Sequence, residues 1–323
     1  MQINFKANSE KPKIVIVIPA YNEREHLYNL FESITACVRE MSDFESIILV
    51  IDDGSIDGTW ELCKRIHAEE HCFTAARLVR NFGKEVAILV GLSLVESSLY
   101  AVLDADGQHN PRYLPEMLAT LMTNDLDLVI GERLDYVPKN MGLATKVYYH
   151  LLRIITGKDY EKLCDFSLFT LPLRNYMLTQ SPTSLVFKML IYNSATRRVS
   201  FPLHIPEIGD RSRRWSKGRL ISKGISTIYT LSALNRIVLL SLIMIAGIAI
   251  ATVMIGIIVN HFILNMSIPR GYLTLIGLNI VLVVELTTFL IAYLLRERAQ
   301  KLPTDLRSLV ADHCGFEYDA YKH

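Results

Sequence analysis

Two carboxylates one residue apart, Asp104 and Asp106, follow an apolar run at residues 100–103 that reads as a buried strand. Alternate side chains of an extended chain share a face, so both acids point the same way. Two like charges at that spacing repel unless something positive lies between them. An oxygen-preferring divalent cation, Mg²⁺ or Mn²⁺, suits that place, and such ions share their shell with a substrate's phosphates. The plainer alternative is a strand-end turn with two solvated acids, and a pair this short does not exclude it.

The elements that must position this pair repeat a pattern. Residues 14–18 are a continuous β-branched run ending at Pro19, as in a strand buried on both faces. A helical pattern follows, with Leu27, Leu30, Phe31 and Ile34 on one side. Residues 47–51 form a second run that ends in Asp52-Asp53-Gly54-Ser55, where Ser55 or Asp57 can cap the next helix. A weaker strand at 76–79 leads to Arg80-Asn81-Phe82-Gly83-Lys84 and a third helix. Beyond the acid pair, a helix at 113–121 and a strand at 126–130 end in Gly131-Glu132-Arg133. Alternating strands and helices with polar residues after each strand predict an α/β fold, an open and mostly parallel sheet with helices on both faces. Its ligand site lies at the carboxyl ends of the strands. Asp53, Lys84, Asp104, Asp106 and Arg133 all fall on that edge, more charge than an ordinary surface explains. Neither G-x-G-x-x-G nor G-x-x-x-x-G-K-[ST] occurs, which argues against dinucleotide and P-loop chemistry.

Residues 142–200 read less clearly, with helical segments around Cys164-Asp165-Phe166. Arg211-Ser212-Arg213-Arg214-Trp215-Ser216-Lys217 is a compact basic cluster, and residues 221–234 suit a membrane-interface helix or an ordinary surface one. Residues 237–259 hold no charge across 23 positions, and residues 272–295 only Glu285 across 24. At ~1.5 Å per residue either stretch is long enough to cross ~30 Å of hydrocarbon. Arg236, Arg296, Arg298 and Lys301 outweigh Arg270 in the linker, so both termini are expected in the cytoplasm at the inner membrane. Gly247 and Ala251 allow close helix packing and hence a homo-oligomer. The expected organisation is a catalytic domain at 1–210, a basic juxtamembrane segment at 211–236, a two-helix hairpin at 237–296 and a cytoplasmic tail at 297–323 without a function of its own. The N-terminus has no signal-peptide pattern. Lys+Arg 34 against Asp+Glu 33 leaves no footprint for nucleic acid, and five cysteines without paired spacing fit a reducing compartment.

Four stretches in order, IVIVIPAYNE (14–23), IDDGSIDGT (51–59), RNFGKEVAILVG (80–91) and LDADGQHNP (103–111), resemble the motif series of family 2 glycosyltransferases. With the apolar hairpin, the chain is most similar to the polyprenyl-phosphate group, the dolichol-phosphate mannose synthases and bacterial undecaprenyl-phosphate glycosyltransferases, over about residues 12–301. The resemblance implies a GT-A-type fold and inverting transfer of a sugar, expected to be UDP-linked, from a nucleotide sugar to a polyprenyl phosphate lipid. By its motifs Pro19, Ala20, Tyr21 and Glu23 would line the base and ribose pocket, and Asp53 would contact the nucleotide. Asp104, Asp106 and Gln108 would hold the metal and diphosphate, with Lys84 beside them. Arg133 would hold the acceptor phosphate, and Arg211, Ser216 and Lys217 would close over the phosphates. Asp165 would orient the sugar or act as base, unless it is a helix cap. The chain departs from the family at Lys162, Ser167 and Arg214, all around the sugar and acceptor side. The Gln-x-x-Arg-Trp element of processive synthases is missing, so single transfer is expected. Rival readings are another lipid acceptor such as diacylglycerol, or a non-catalytic membrane scaffold that binds nucleotide.

Overall fold

The computed structural model describes residues 11–70, 72–134, 149–150, 153–154, 157–179, 187–204, 303 and 305–315, and scattered helical positions between 244 and 286. The basic segment with Arg211, Ser216 and Lys217 lies outside the described residues, as do the expected spans apart from those scattered positions. Among the described residues no helix is long and apolar enough to cross a membrane. Contacts divide the chain into one unit of residues 1–224 with 302–323 and a second of residues 225–301.

The first unit is built on one eight-stranded sheet, ordered β7-β5-β6-β4-β1-β2-β3-β8. Its centre is parallel: β1 (Lys13–Ala20) lies between β2 (Glu45–Asp52) and β4 (Leu99–Val102), and β3 (Phe73–Leu78) flanks β2. The runs read at 14–18 and 47–51 lie within β1 and β2, while those read at 76–79 and 100–103 overlap β3 and β4, which begin earlier and end one residue sooner. β1 is buried from Ile14 to Ala20, as an apolar run covered on both faces must be. Alternation decides which helices each face meets. Ile14, Ile16 and Ile18 pack with Leu27, Leu30 and Phe31 of α1 (Arg24–Glu40), Trp60 and Cys63 of α2 (Thr59–Glu69) and Met117 of α4 (Leu114–Thr123). The opposite face receives α3 (Lys84–Leu94). A side chain at Gly91 would stand 2.5 Å from Val17 Cγ1, so glycine lets this helix sit down on β1 and β2.

Beyond β4 the pattern changes. The motif Cys164-Asp165-Phe166 lies in a strand, β6 (Leu163–Thr170), with helical positions at 149–150 and 153–154 before it and a helix directly after. β6 runs antiparallel between β4 and β5 (Leu128–Arg133), and β7 (Arg198–Leu203) pairs parallel with β5. Because β6 runs backwards, its first residues meet the last residues of β4 and β5. Asp165 therefore comes to the ligand edge from a strand start, and the helix-cap reading of it falls. Helices α5 (Leu171–Thr179) and α6 (Phe187–Ser194) follow β6 and its return.

The tail holds the other correction. Expected to be a polar extension, it supplies β8 (Val310–Cys314), which pairs antiparallel with β3. Trp60 Nε1 donates to Asp312 Oδ2 at 3.1 Å. Arg307 donates through Nε and Nη2 to the Ser93 carbonyl, at 3.1 and 2.9 Å, satisfying a backbone oxygen left over at the end of α3. An open edge of β3 would expose a ladder of unpaired amides, and β8 covers it.

Candidate active site

The ends of β1, β2, β3 and β4 make one rim, held largely by backbone. Asp53 N donates to the Ala20 carbonyl at 2.8 Å, tying the end of β2 to that of β1. Ser55 N donates to Asp52 Oδ1 at 3.0 Å, and Ser55 Oγ in turn accepts from Asn22 N at 2.9 Å. Thr59 Oγ1 accepts from Glu23 N at 3.0 Å, while Asp57 accepts from Thr59 N at 3.0 Å. The N-cap of α2 is Gly58, so neither expected residue caps it: Asp57 closes the turn just before the helix, and Ser55 ties two loops together. Pro19 and Ala20 are buried in the floor of the rim, Glu23 is half-buried, and Tyr21 is 43% exposed.

Asp53 is turned inward. It is 3% exposed, and its two oxygens accept from Phe82 N at 2.7 Å and Gly83 N at 2.8 Å. Burial lifts its carboxyl to about 6, against the lowering pull of those two amides. Its first work is to hold the loop that leads into α3. Gly54 lets this happen: at φ +72° its Cα approaches so closely that a Cβ would stand 2.8 Å from the backbone carbon of Arg80.

Lys84 opens α3 and reaches two acids at once, Asp104 Oδ1 at 2.5 Å and Asp165 Oδ2 at 2.5 Å. Burial works to lower the Lys84 pKa, and the two carboxylates overcome it and hold the ammonium charged. Burial likewise pushes Asp165 up, yet Lys84 and Lys188 hold its carboxyl well below the usual range, at about 2. Asp106 and Gln108 occupy the turn just after Asp104. Gln108 N donates to Asp106 Oδ1 at 3.0 Å across Gly107 at φ +70°. Arg133 ends β5, its amide donating to the Lys162 carbonyl at 3.0 Å, and its guanidinium interacts with the Cys164 thiol.

Asp104 and Asp106 present only carboxylate oxygens, the donors that Mg²⁺ and Mn²⁺ take. Among the described residues no three His, Cys, Asp or Glu side chains gather to hold an ion unaided. A cation here would complete its shell with a substrate's phosphates, and the residues fit one bound in that way.

Two neighbours were not singled out by the sequence. His109 is 4% exposed, with Nδ1 4.0 Å from Asp104 Oδ2 and its ring 6.0 Å from that of Phe166. Burial holds its pKa below the usual value. It lies inside the 103–111 stretch, where its place was visible and its burial was not. Lys188, on α6, donates to the Leu163 carbonyl at 2.8 Å. No motif surrounds it, and only the folding of α6 against β6 reveals it.

A mostly parallel sheet of this order, with acids and a lysine gathered at its carboxyl edge, defines the class: a GT-A-like α/β domain. Residues 15–170 match the model of Glycosyl transferase family 2. The undecaprenyl-phosphate 4-deoxy-4-formamido-L-arabinose transferase of Salmonella paratyphi A is 31% identical over 216 residues, which are 65% of this chain and 64% of that one. The enzyme of that name from Salmonella paratyphi B is 32% identical over 217 residues, with the same shares. The chain thus covers under two thirds of the length of these curated relatives. Residues 15–170 are thus similar to glycosyl transferase family 2, and 65% of the chain is similar to these undecaprenyl-phosphate sugar transferases. Mannosyl-3-phosphoglycerate synthase from Rubrobacter xylanophilus superposes with a TM-score of 0.52 at 17% identity, over 70% of this chain and 74% of that one. Glucosyl-3-phosphoglycerate synthase from Mycobacterium tuberculosis, in complex with Mn²⁺, UDP and phosphoglyceric acid, does so at 0.51 and 17%, over 68% and 77%. At such identity these two speak for the fold alone.

Proposed function

We propose that this chain is a membrane-anchored inverting glycosyltransferase that moves one sugar from a nucleotide sugar, UDP-linked, to polyprenyl phosphate, undecaprenyl phosphate in particular. The observation that carries the reading is the pairing of Asp165 with Lys84. A carboxylate paired at 2.5 Å with the Lys84 ammonium is held ionised and below its usual range, a poor match to proton abstraction near neutral pH. A phosphate acceptor is already ionised there and needs no strong base. A neutral lipid hydroxyl would need one, so the diacylglycerol reading fits less well.

Inversion places the nucleophile on the face of the sugar opposite the leaving nucleotide. Asp104 and Asp106 would hold Mg²⁺ or Mn²⁺, which when bound neutralises the donor diphosphate. The rim of Pro19, Ala20, Tyr21 and Glu23 would receive the nucleoside, and Asp53 would act mainly by fixing the Phe82–Lys84 loop beside it. Lys84 adds positive charge at the diphosphate and holds Asp165 facing the sugar. Arg133 would take the acceptor phosphate and relieve its repulsion from the donor. Arg211, Ser216 and Lys217 would extend that positive surface toward the lipid.

Two features support the membrane. Met244, Ile245, Leu278, Ile280, Val281 and Val284 are helical and all exposed, as lipid-facing residues are. The same sheet also contains strands from before residue 204 and the strand at 310–314. A segment that leaves this sheet and rejoins it crosses a bilayer an even number of times, which two spans at 237–259 and 272–295 satisfy. Both ends would then be cytoplasmic, at the inner membrane. The test is to incubate purified full-length protein with a panel of nucleotide sugars, undecaprenyl phosphate and Mg²⁺ or Mn²⁺. Lipid-linked sugar should form with one donor; a glycosylated diacylglycerol, with undecaprenyl phosphate inert, would overturn the reading.

A further inference from the structure

The chain from Val79 to Ser93, which carries Lys84, is held at both ends by the tail. Where β3 gives way to the loop at 80–83, Val79 N donates to the Leu309 carbonyl at 2.9 Å. At the far end, the Ser93 carbonyl accepts from Arg307 Nε at 3.1 Å and Nη2 at 2.9 Å. Arg307 and Leu309 belong to one short turn, a 3-10 helix at Leu306–Leu309 that packs on α3. Asp305 stiffens it, its Oδ1 accepting from Arg307 N at 3.0 Å and its carbonyl from Ser308 Oγ at 2.7 Å. Covering the edge of β3 needs only the backbone of β8, so it does not account for a guanidinium aimed at the end of α3.

α3 needs holding along its axis. It is buried from Val86 to Leu92 and again at Leu94, and apolar burial is non-directional. Such packing sets the depth of a helix against a sheet better than its position lengthwise. Lys84 tolerates little lengthwise error, because its ammonium stands 2.5 Å from Asp104 Oδ1 and 2.5 Å from Asp165 Oδ2. A cation at this end also opposes the helix dipole. Directional bonds at the ends supply the position. Asp53 takes the amides of Phe82 and Gly83 before the helix. At the last turn, whose carbonyls have no helical partner, Arg174 Nε donates to the Leu92 carbonyl at 2.8 Å beside the Arg307 bonds. Both cations there suit the negative end of the dipole. Asp53 and Arg174 precede the second unit in the chain; Arg307 follows it.

We propose that Arg307 is a positioning residue for Lys84: its turn grips the 79–93 segment at both ends and so fixes the ammonium between Asp104 and Asp165. The effect on turnover rests on the reading of Lys84 at the donor diphosphate; the grip does not. In the full-length protein in detergent, without substrates, Lys84 should be reductively methylated about tenfold faster in Arg307→Met than in wild type, the local opening that loss of one charge-assisted hydrogen bond allows. Asp312→Ala, which weakens the same tail at Trp60, should leave that rate within about twofold. With nucleotide sugar and undecaprenyl phosphate, Arg307→Met should lower kcat about tenfold while the KM for the lipid holds. Arg307→Lys, which keeps one cationic donor for the carbonyl, should restore most of both. If Arg307→Met does not fold, Arg307→Gln is read in its place. Lys84 methylated at the wild-type rate in the variant, or equally fast in Asp312→Ala at a matched fall in melting temperature, would overturn the proposal and leave the function standing. Faster methylation with unchanged kcat would keep the grip and remove Lys84 from the transfer step. Should the wild type prove inert toward every polyprenyl phosphate, the acceptor reading falls and the methylation comparison decides the grip alone.

Discussion

Asp53 and Asp165 stand on two halves of one rim, and their environments push them in opposite directions. Asp53, on the β1–β4 half, is buried among backbone amides, and burial lifts it to about 6. Asp165, on the β5–β7 half, is partly buried too, but two lysines outweigh burial and hold it near 2. One half is organised by neutral main-chain donors within loops close to their strands. The other is organised by the Lys84–Asp165 ion pair between α3 and β6 and by Lys188 of α6 on the Leu163 carbonyl, which the chain must fold fully to bring together. Under the proposed function, the difference separates a pre-shaped nucleotide side from an electrostatically assembled transfer side.

Asp106→Ala tests the junction of the two halves and should have the largest effect. Turnover should fall by about 10³ or more, as when a group neutralising transition-state charge is lost, with the melting temperature nearly unchanged. Lipid-linked product formed at the wild-type rate would break the assignment of the acid pair.

Asp165→Asn should follow, lowering kcat by about 10² while nucleotide affinity moves little, because the asparagine no longer balances Lys84. The pH dependence sharpens the contrast. The folded-state pKa of Asp165 is depressed, so its stabilisation is present above the unfolded value of about 3.9 and is lost as pH falls from there toward about 2. Asp53 is raised, so stability declines as pH rises through the window from about 4 to about 6. Denaturation of Asp53→Asn against wild type across that window should flatten the second slope and leave the first. A kcat profile governed by a group near pH 7 that vanished in Asp165→Asn would instead make Asp165 a base.

Asp53→Ala should leave two amides without their acceptor and cost about 1–3 kcal/mol of stability. The KM for the nucleotide sugar should rise more than that for the lipid, since the loop it frees borders the donor side. Gly54→Ala should cost about 1–3 kcal/mol as well, because a Cβ there meets the backbone of Arg80 and Asn81 and the φ of +72° disfavours it. The smallest effect belongs to the sheet's far edge. Asp312→Ala removes the partner of Trp60 and should cost about 1 kcal/mol in chemical denaturation, with both KM values unchanged.

Much of the β1–β4 half was legible in the chain. Apolar runs of strand length and helices of 3.6-residue period are local patterns, and Gly54, Asp57 and Gly107 shape turns within a few residues of themselves. The acid pair and Lys84 could be placed on one edge for the same reason, since α/β units deliver the ends of parallel strands to one side. The order and direction of β6 could not. Its motif is eight residues of mixed character, and only pairing with both β4 and β5 makes it a central strand. Nor could β8, a five-residue stretch of mixed character that lies on an edge. Its partner, β3, is more than two hundred residues away in the chain.

The sequence by itself determined the elements, the carboxyl edge and the types of group gathered there, because each depends on neighbours in the chain. Tertiary structure alone decided that Lys84 bridges Asp104 to Asp165, that Asp53 faces inward to its amides, and that Lys188 reaches the Leu163 carbonyl at the start of β6. Those facts depend on distances across the sheet between residues 20 to 100 apart in the chain, and on burial, which sets the sign of each carboxyl's shift. No local pattern carries either.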